Sequence, residues 1–116
     1  MNSPDSVQAW HAVCTKDDLI PNSGVCALVQ GHQIALFYLP DESPDIYAVG
    51  NWDPIGEANV ISRGILGSVK GELVVASPMF KQHFSLISGL CLEDESQRIS
   101  VYPVKSGNEV KIQVSA

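Results

Sequence analysis

Short apolar runs separated by turn residues dominate the chain from about residue 10 onward. Val25-Cys26-Ala27-Leu28-Val29 and Ile34-Ala35-Leu36-Phe37-Tyr38-Leu39 flank Gln30-Gly31-His32-Gln33, and Pro40 stops the second run. Two β-rich runs around a glycine-bearing turn predict a β-hairpin. Tyr47-Ala48-Val49 follows the acidic turn Asp41-Glu42-Ser43-Pro44-Asp45 as a further short strand ending at Gly50. Residues 65–69 and 73–76 around Lys70-Gly71-Glu72 predict a second hairpin, and Phe84-Ser85-Leu86 alternates. The last two runs, 99–104 and 110–114, flank Lys105-Ser106-Gly107-Asn108-Glu109. In the second of them Val110, Ile112 and Val114 face one way and Lys111, Gln113 and Ser115 the other, the period of a sheet with one wet face. Pro103 lacks an N–H and suits an edge or a bulge. Residues 51–56 and 77–82 read as loops, and 57–62 as one helical turn or an irregular bridge. No segment carries a long helical period. The expectation is an all-β domain of short antiparallel strands, a small sandwich or barrel spanning residues 1–116, with residues 1–7 as a flexible arm.

Composition narrows the function. Of 116 residues, 45% are hydrophobic and 17% charged, which suits a folded core and excludes intrinsic disorder. The formal charge is −6, and the 7 basic residues are scattered, so neither a general nucleic-acid binder nor a polybasic membrane anchor fits. No stretch approaches the ~20 apolar residues of a membrane span. The N-terminus has no basic region followed by an apolar run, so no secretory signal is expected. Cys14, Cys26 and Cys91 form no C-x-x-C pair and read as reduced thiols of a cytosolic protein.

Common catalytic patterns are missing. No serine sits in an elbow sequence, and His11, His32 and His83 have no spacing tied to one. Gly64, Gly67 and Gly71 lie in hairpin contexts with no helix to follow a phosphate loop. The carboxylates at Asp41/Glu42/Asp45 and at Glu93/Asp94/Glu95 read as solvated turns. His11 and Cys14 lie on an expected strand that points them to opposite faces, so they read as structural rather than as metal ligands.

Two loops taken together change the picture. Rieske iron–sulfur domains are small all-β proteins whose first cluster loop carries Cys-x-His, typically in Asn-x-Cys-Pro-His. Their second loop carries Cys-x-x-His, followed by an aromatic and a glycine. Thiolates hold one iron and imidazoles the other. Here the loops are Asn51-Trp52-Asp53-Pro54-Ile55 and Ser77-Pro78-Met79-Phe80, the latter running on to Phe84-Ser85-Leu86 and Gly89. The frame resembles a Rieske domain, but the four ligand positions hold Asp53, Ile55, Ser77 and Phe80. An aliphatic and a phenyl side chain offer no lone pair, so no cluster is expected at this site. His83 does not restore the pattern.

A Rieske-like frame with these departures resembles the small subunits of bacterial NAD(P)H-dependent nitrite reductase. Asn51-Trp52-Asp53-Pro54, 58–64, 75–84 and Cys91-Leu92-Glu93-Asp94 carry the likeness. The resemblance implies an accessory, non-catalytic chain whose partner is a large cytoplasmic subunit. That subunit carries siroheme, [4Fe-4S] and FAD and takes electrons from NAD(P)H to reduce nitrite to ammonium in nitrogen assimilation. It implies no cofactor on this chain. Trp52, Ile55, Met79 and Phe80 are then expected at one end of the fold. Either these side chains fill the space of the missing cluster as a mini-core, or some of them, Trp52 and Met79 first, stay exposed to dock the large subunit, with Lys81, Gln82 and His83 beside them; both hold if Ile55 and Phe80 lie inside and Trp52 outside. A structural role is the reading for His83, and Asp53 is expected to cap its own loop. Two other readings compete. One is a ferredoxin holding a two-iron cluster through atypical ligands such as Cys91 or Cys14. The other is a free-standing interaction module.

Overall fold

The run at residues 34–39 lies at the centre of the molecule because both its faces are covered. A computed structural model describes residues 9–114; the expected arm at 1–7 and Ser115 lie outside the described residues. The run falls largely in β3 (His32–Tyr38), which pairs with β2 (Ser23–Val29) on one side and β4 (Ile46–Gly50) on the other. Ile34 and Leu36 are buried in a cluster with Ile46, Ala48, Val110, Ile112 and Val114. Ala35 and Phe37 point the other way, into a cluster with Tyr47, Val49, Val75, Phe84 and Leu86. A strand that alternates between two cores reads as a continuous apolar run rather than as an alternation.

Three antiparallel layers result. The middle sheet has the order β10-β4-β3-β2, with β10 at Val101–Tyr102. One outer sheet is β1-β12-β11, from Trp10–Thr15, Glu109–Gln113 and Val104–Ser106. The other is β7-β8-β9, from Ile65–Val69, Glu72–Ala76 and His83–Ser85. The segment 57–62, expected as one helical turn or an irregular bridge, contains both a strand of a two-stranded ribbon, β5 (Trp52–Asp53) with β6 (Ala58–Asn59), and the start of a 3-10 turn at Ile61–Arg63. The single wet face expected for 110–114 holds: Val110 and Ile112 in β12, and Val114 just after it, are all buried.

Four local features depart from the sequence reading. The first hairpin turns on Gln30 and Gly31 alone, both with positive φ (50° and 79°), so its strands are longer than the apolar runs. Paired positive φ angles give the type I′ twist that matches the strands. The final apolar run is cut at Pro103: Val101–Tyr102 pairs with β4, while Val104–Ser106 pairs with β12, so the chain changes sheets there. A bulge between Ala12 and Cys14 shifts the register of β1, with His11 opposite Ile112 and Cys14 opposite Val110. The extra residue puts His11 and Cys14 on the same face, not on opposite faces. The acidic turns are not merely solvated either: Asp45 pairs with Lys16 at 2.8 Å and accepts a hydrogen bond from Ser106.

Candidate functional site: two loops clipped by a hydrogen bond

Both loops are the tips of hairpins, and both are built alike. In the first, between β5 and β6, the N–H of Glu57 donates to the carbonyl of Asp53 at 2.8 Å. Asp53 Oδ1 accepts the N–H groups of Ile55 at 2.8 Å and Gly56 at 3.0 Å. In the second, between β8 and β9, the N–H of Lys81 donates to the carbonyl of Ser77 at 3.0 Å, and Ser77 Oγ accepts the N–H of Met79 at 3.2 Å. Each turn has proline in second place, where its fixed φ suits the turn. Each closes on a residue with positive φ, Glu57 at 54° and Lys81 at 67°. The expected cap by Asp53 is present.

The two loops are joined at their roots. Ser77 Oγ donates to Asp53 Oδ2, and both residues are fully buried. The carboxylate thus spends both oxygens, and the hydroxyl acts once as donor and once as acceptor. A buried polar pair with every partner made is stable where a half-satisfied one is not. The backbone of the first loop also packs on the Met79 side chain of the second. A Cβ on Gly56 would lie 2.8 Å from Cβ and Cγ of Met79 and 3.0 Å from Asp53 Oδ2, so only glycine lets the loops approach this closely.

Asn51 anchors the first loop from behind. It is buried, its Oδ1 accepts the N–H of Ser62 at 2.7 Å, and its Nδ2 donates to Gln33 Oε1 at 3.3 Å. A third turn with the same kind of anchor lies at 85–89; Ser88-Gly89 reads as a turn in the sequence, but Ser85 does not show there as its anchor. Ser85 is buried, its Oγ accepts the N–H groups of Ile87 and Ser88, and Gly89, at φ 81°, closes on its carbonyl. The signal was available as an Asp/Ser four residues before the closing position in all three places.

The structure divides the expected apolar end. Ile55 packs against the core cluster of the middle layer. Phe80 does not fill the interior: it is 59% exposed, with Trp52 at 49% and Met79 at 44%. Lys81 is exposed beside them. His83 is turned to its own chain. Its N–H donates to Glu93 Oε1 at 2.8 Å and its Nδ1 lies 2.6 Å from Glu93 Oε2. Burial alone pushes the Glu93 carboxyl up, but the bonds from His83 outweigh it and leave it below its ordinary value.

The residues at the four ligand positions do not fit a [2Fe-2S] cluster. Asp53 and Ser77 satisfy each other, Ile55 is drawn toward the core and Phe80 ends in a phenyl ring facing solvent. The alternative thiols cannot converge on one metal. Cys91 belongs to the core cluster with Phe84 and Ile99, whereas Cys14 packs on the other cluster, beside β12. Burial raises the pKa of both thiols, away from the thiolate a metal needs. Among the described residues no group of three His, Cys, Asp or Glu side chains is gathered to hold a metal ion.

Comparison with known proteins places this architecture. The Rieske-like [2Fe-2S] domain family matches residues 9–115. The small subunit of NADH nitrite reductase from Salmonella typhimurium is 46% identical over 96 residues, covering 83% of this chain and 88% of that one. The large subunit of NAD(P)H nitrite reductase from Klebsiella oxytoca is 39% identical over 99 residues, which are 85% of this chain but 10% of that one. The crystal structure of an NADH-dependent nitrite reductase small subunit from Mycobacterium tuberculosis superposes with a TM-score of 0.88 at 41% identity, covering 95% of this chain and 98% of that one.

Proposed function

Because the chain belongs to the Rieske-like [2Fe-2S] domain family and, within it, to the small subunits of NADH-dependent nitrite reductase, we propose that it is the accessory, non-catalytic subunit of a complex that reduces nitrite to ammonium. The role is nitrogen assimilation in the cytoplasm. Its partner is the large catalytic subunit. One observation carries this reading: related domains occur both as a separate small subunit and as a tenth of a large-subunit chain. Two free thiols with raised pKa values suit a reducing compartment. Among the described residues no helix is long and apolar enough to cross a membrane.

The chain itself carries no cluster on this reading. Support comes from the donor set: a carboxylate and a hydroxyl already bonded to each other, and two hydrocarbon side chains. Siroheme, [4Fe-4S], FAD and the NAD(P)H site then belong to the large subunit. What the residues of this chain do is hold two loops in a fixed shape and present them.

The test is purification of the tagged chain from nitrite-grown cells, with iron and absorbance measured on the complex and on the chain after separation. The expected result is a large partner with flavin and siroheme bands and an iron-free small chain. Recovery of the chain without that partner would overturn the accessory role, and a full two-iron complement on the separated chain would overturn the cluster-free reading.

A further inference from the structure

We infer that Trp52, Met79 and Phe80, carried on two loops that the Asp53–Ser77 hydrogen bond clips together, form the surface that docks on the large subunit. The inference rests on the accessory-subunit reading and says where the contact is made.

The first argument is placement. All three side chains are large, apolar and about half exposed, and each lies within three residues of the buried clip. Exposed apolar groups held on mobile loops would lose much of their binding energy to ordering. Here the ordering is done in advance by the backbone turns, the clip and the contact of Met79 on Gly56. Tryptophan, methionine and phenylalanine are the residue types enriched at the centres of interfaces.

The second argument is charge. The chain carries a formal −6, yet the exposed charges on the two loops are Glu57 and Lys81, one of each sign. The tip is therefore close to neutral on an acidic molecule, and charged residues are depleted at interface cores. Next to Trp52 a recess of about 390 Å³ is lined by His32, Asn59, Arg98 and Ser100, which supplies a polar rim beside the apolar centre.

The third argument names the occupant. In the Klebsiella oxytoca large subunit a domain like this one shares a polypeptide with the rest of the large subunit, so a tether keeps the two at high effective concentration. The Salmonella typhimurium small subunit is a chain apart from the large subunit, and a chain of that kind holds the same neighbour through its surface. His83 is left out of this set because its imidazole Nδ1 is engaged by Glu93.

The test measures affinity between the full-length chain and the purified large subunit. Trp52→Ser/Phe80→Ser is compared with Ile87→Ser/Val101→Ser, which removes two exposed apolar side chains around a separate groove. The tip variant should bind at least about tenfold more weakly with Tm little changed, since two central anchors are lost. The control should stay within about threefold. In parallel, fluorotryptophan-labelled chain should show the Trp52 fluorine resonance shifting on addition of the large subunit. A tip variant that binds like wild type, or a Trp52 resonance that stays unshifted when the labelled wild-type chain binds the large subunit, would overturn the inference while leaving the accessory role intact. A wild-type chain that does not bind at all would overturn both.

Discussion

Asp53 serves three hydrogen-bond donors at once: two loop N–H groups and the Ser77 hydroxyl. Removing one partner of a buried hydrogen bond costs about 1–3 kcal/mol for each group left unsatisfied. Asp53→Ala orphans all three donors, so it should lower unfolding free energy by more than Ser77→Ala. Asp53→Asn should be milder than either, because Oδ1 is kept and the amide can donate to Ser77 Oγ. Urea unfolding of the three variants gives the order. The thiols govern another pH range. The pKa of Cys91 is raised first by burial and also by the Glu93 carboxylate. A raised folded-state value means stability present below the unfolded thiol value, ~8.5, and lost as pH climbs through the folded one. Stability should therefore fall between neutral and strongly alkaline pH, and Cys91→Ala should flatten that fall. On the acid side Asp45 is held low by its bond from Lys16, so its contribution is lost as pH drops below ~4. That pair is partly exposed, so solvent screens it and its contribution is small.

At the scale of elements, the loops behave as one unit. Gly56→Ala places a methyl group against Met79, and the loops must separate or Met79 must shift. The expected cost is about 1–3 kcal/mol, with weaker binding to the large subunit, read by thermal melting and by the same affinity measurement. The hairpins and the period-two strand β12 were legible in the sequence because turn residues and alternation are local signals. The frame of the two loops was legible too, through Asn51, Pro54, Pro78 and Gly89. What was not legible depended on contacts distant in the chain. The bulge at Val13 is set by the register against Lys111 and Val110, and it reversed the expected relation of His11 and Cys14. Phe80 was expected inside because its position is a ligand position. The root of the two loops holds the buried Asp53–Ser77 pair instead, and the ring is exposed.

For the whole molecule, the three layers make a direct prediction. Leu36 and Phe37 are neighbours in β3 and point into different cores. In a two-layer sandwich one of them would face solvent and tolerate truncation. Here both are buried, so Leu36→Ala should cost ~2–5 kcal/mol and Phe37→Ala ~3–5 kcal/mol by chemical denaturation. The middle sheet is the shared wall of both cores, so damage on either side is felt by the domain as one cooperative unit.

The order β1-β12-β11 bears on biosynthesis. The strand beginning at Trp10 finds its only hydrogen-bonded neighbour among the described strands in the one beginning at Glu109. At ~5–20 residues per second, a ribosome needs ~5–20 s to make the intervening chain, and β1 has no such neighbour in the meantime. Val13 and Cys14, which pack on the inner core in the finished domain, must wait out that interval without β12 beside them. Completion of this outer sheet is therefore a late event in synthesis, and a transcript cut short before Val110 yields a chain whose first strand has nowhere to go.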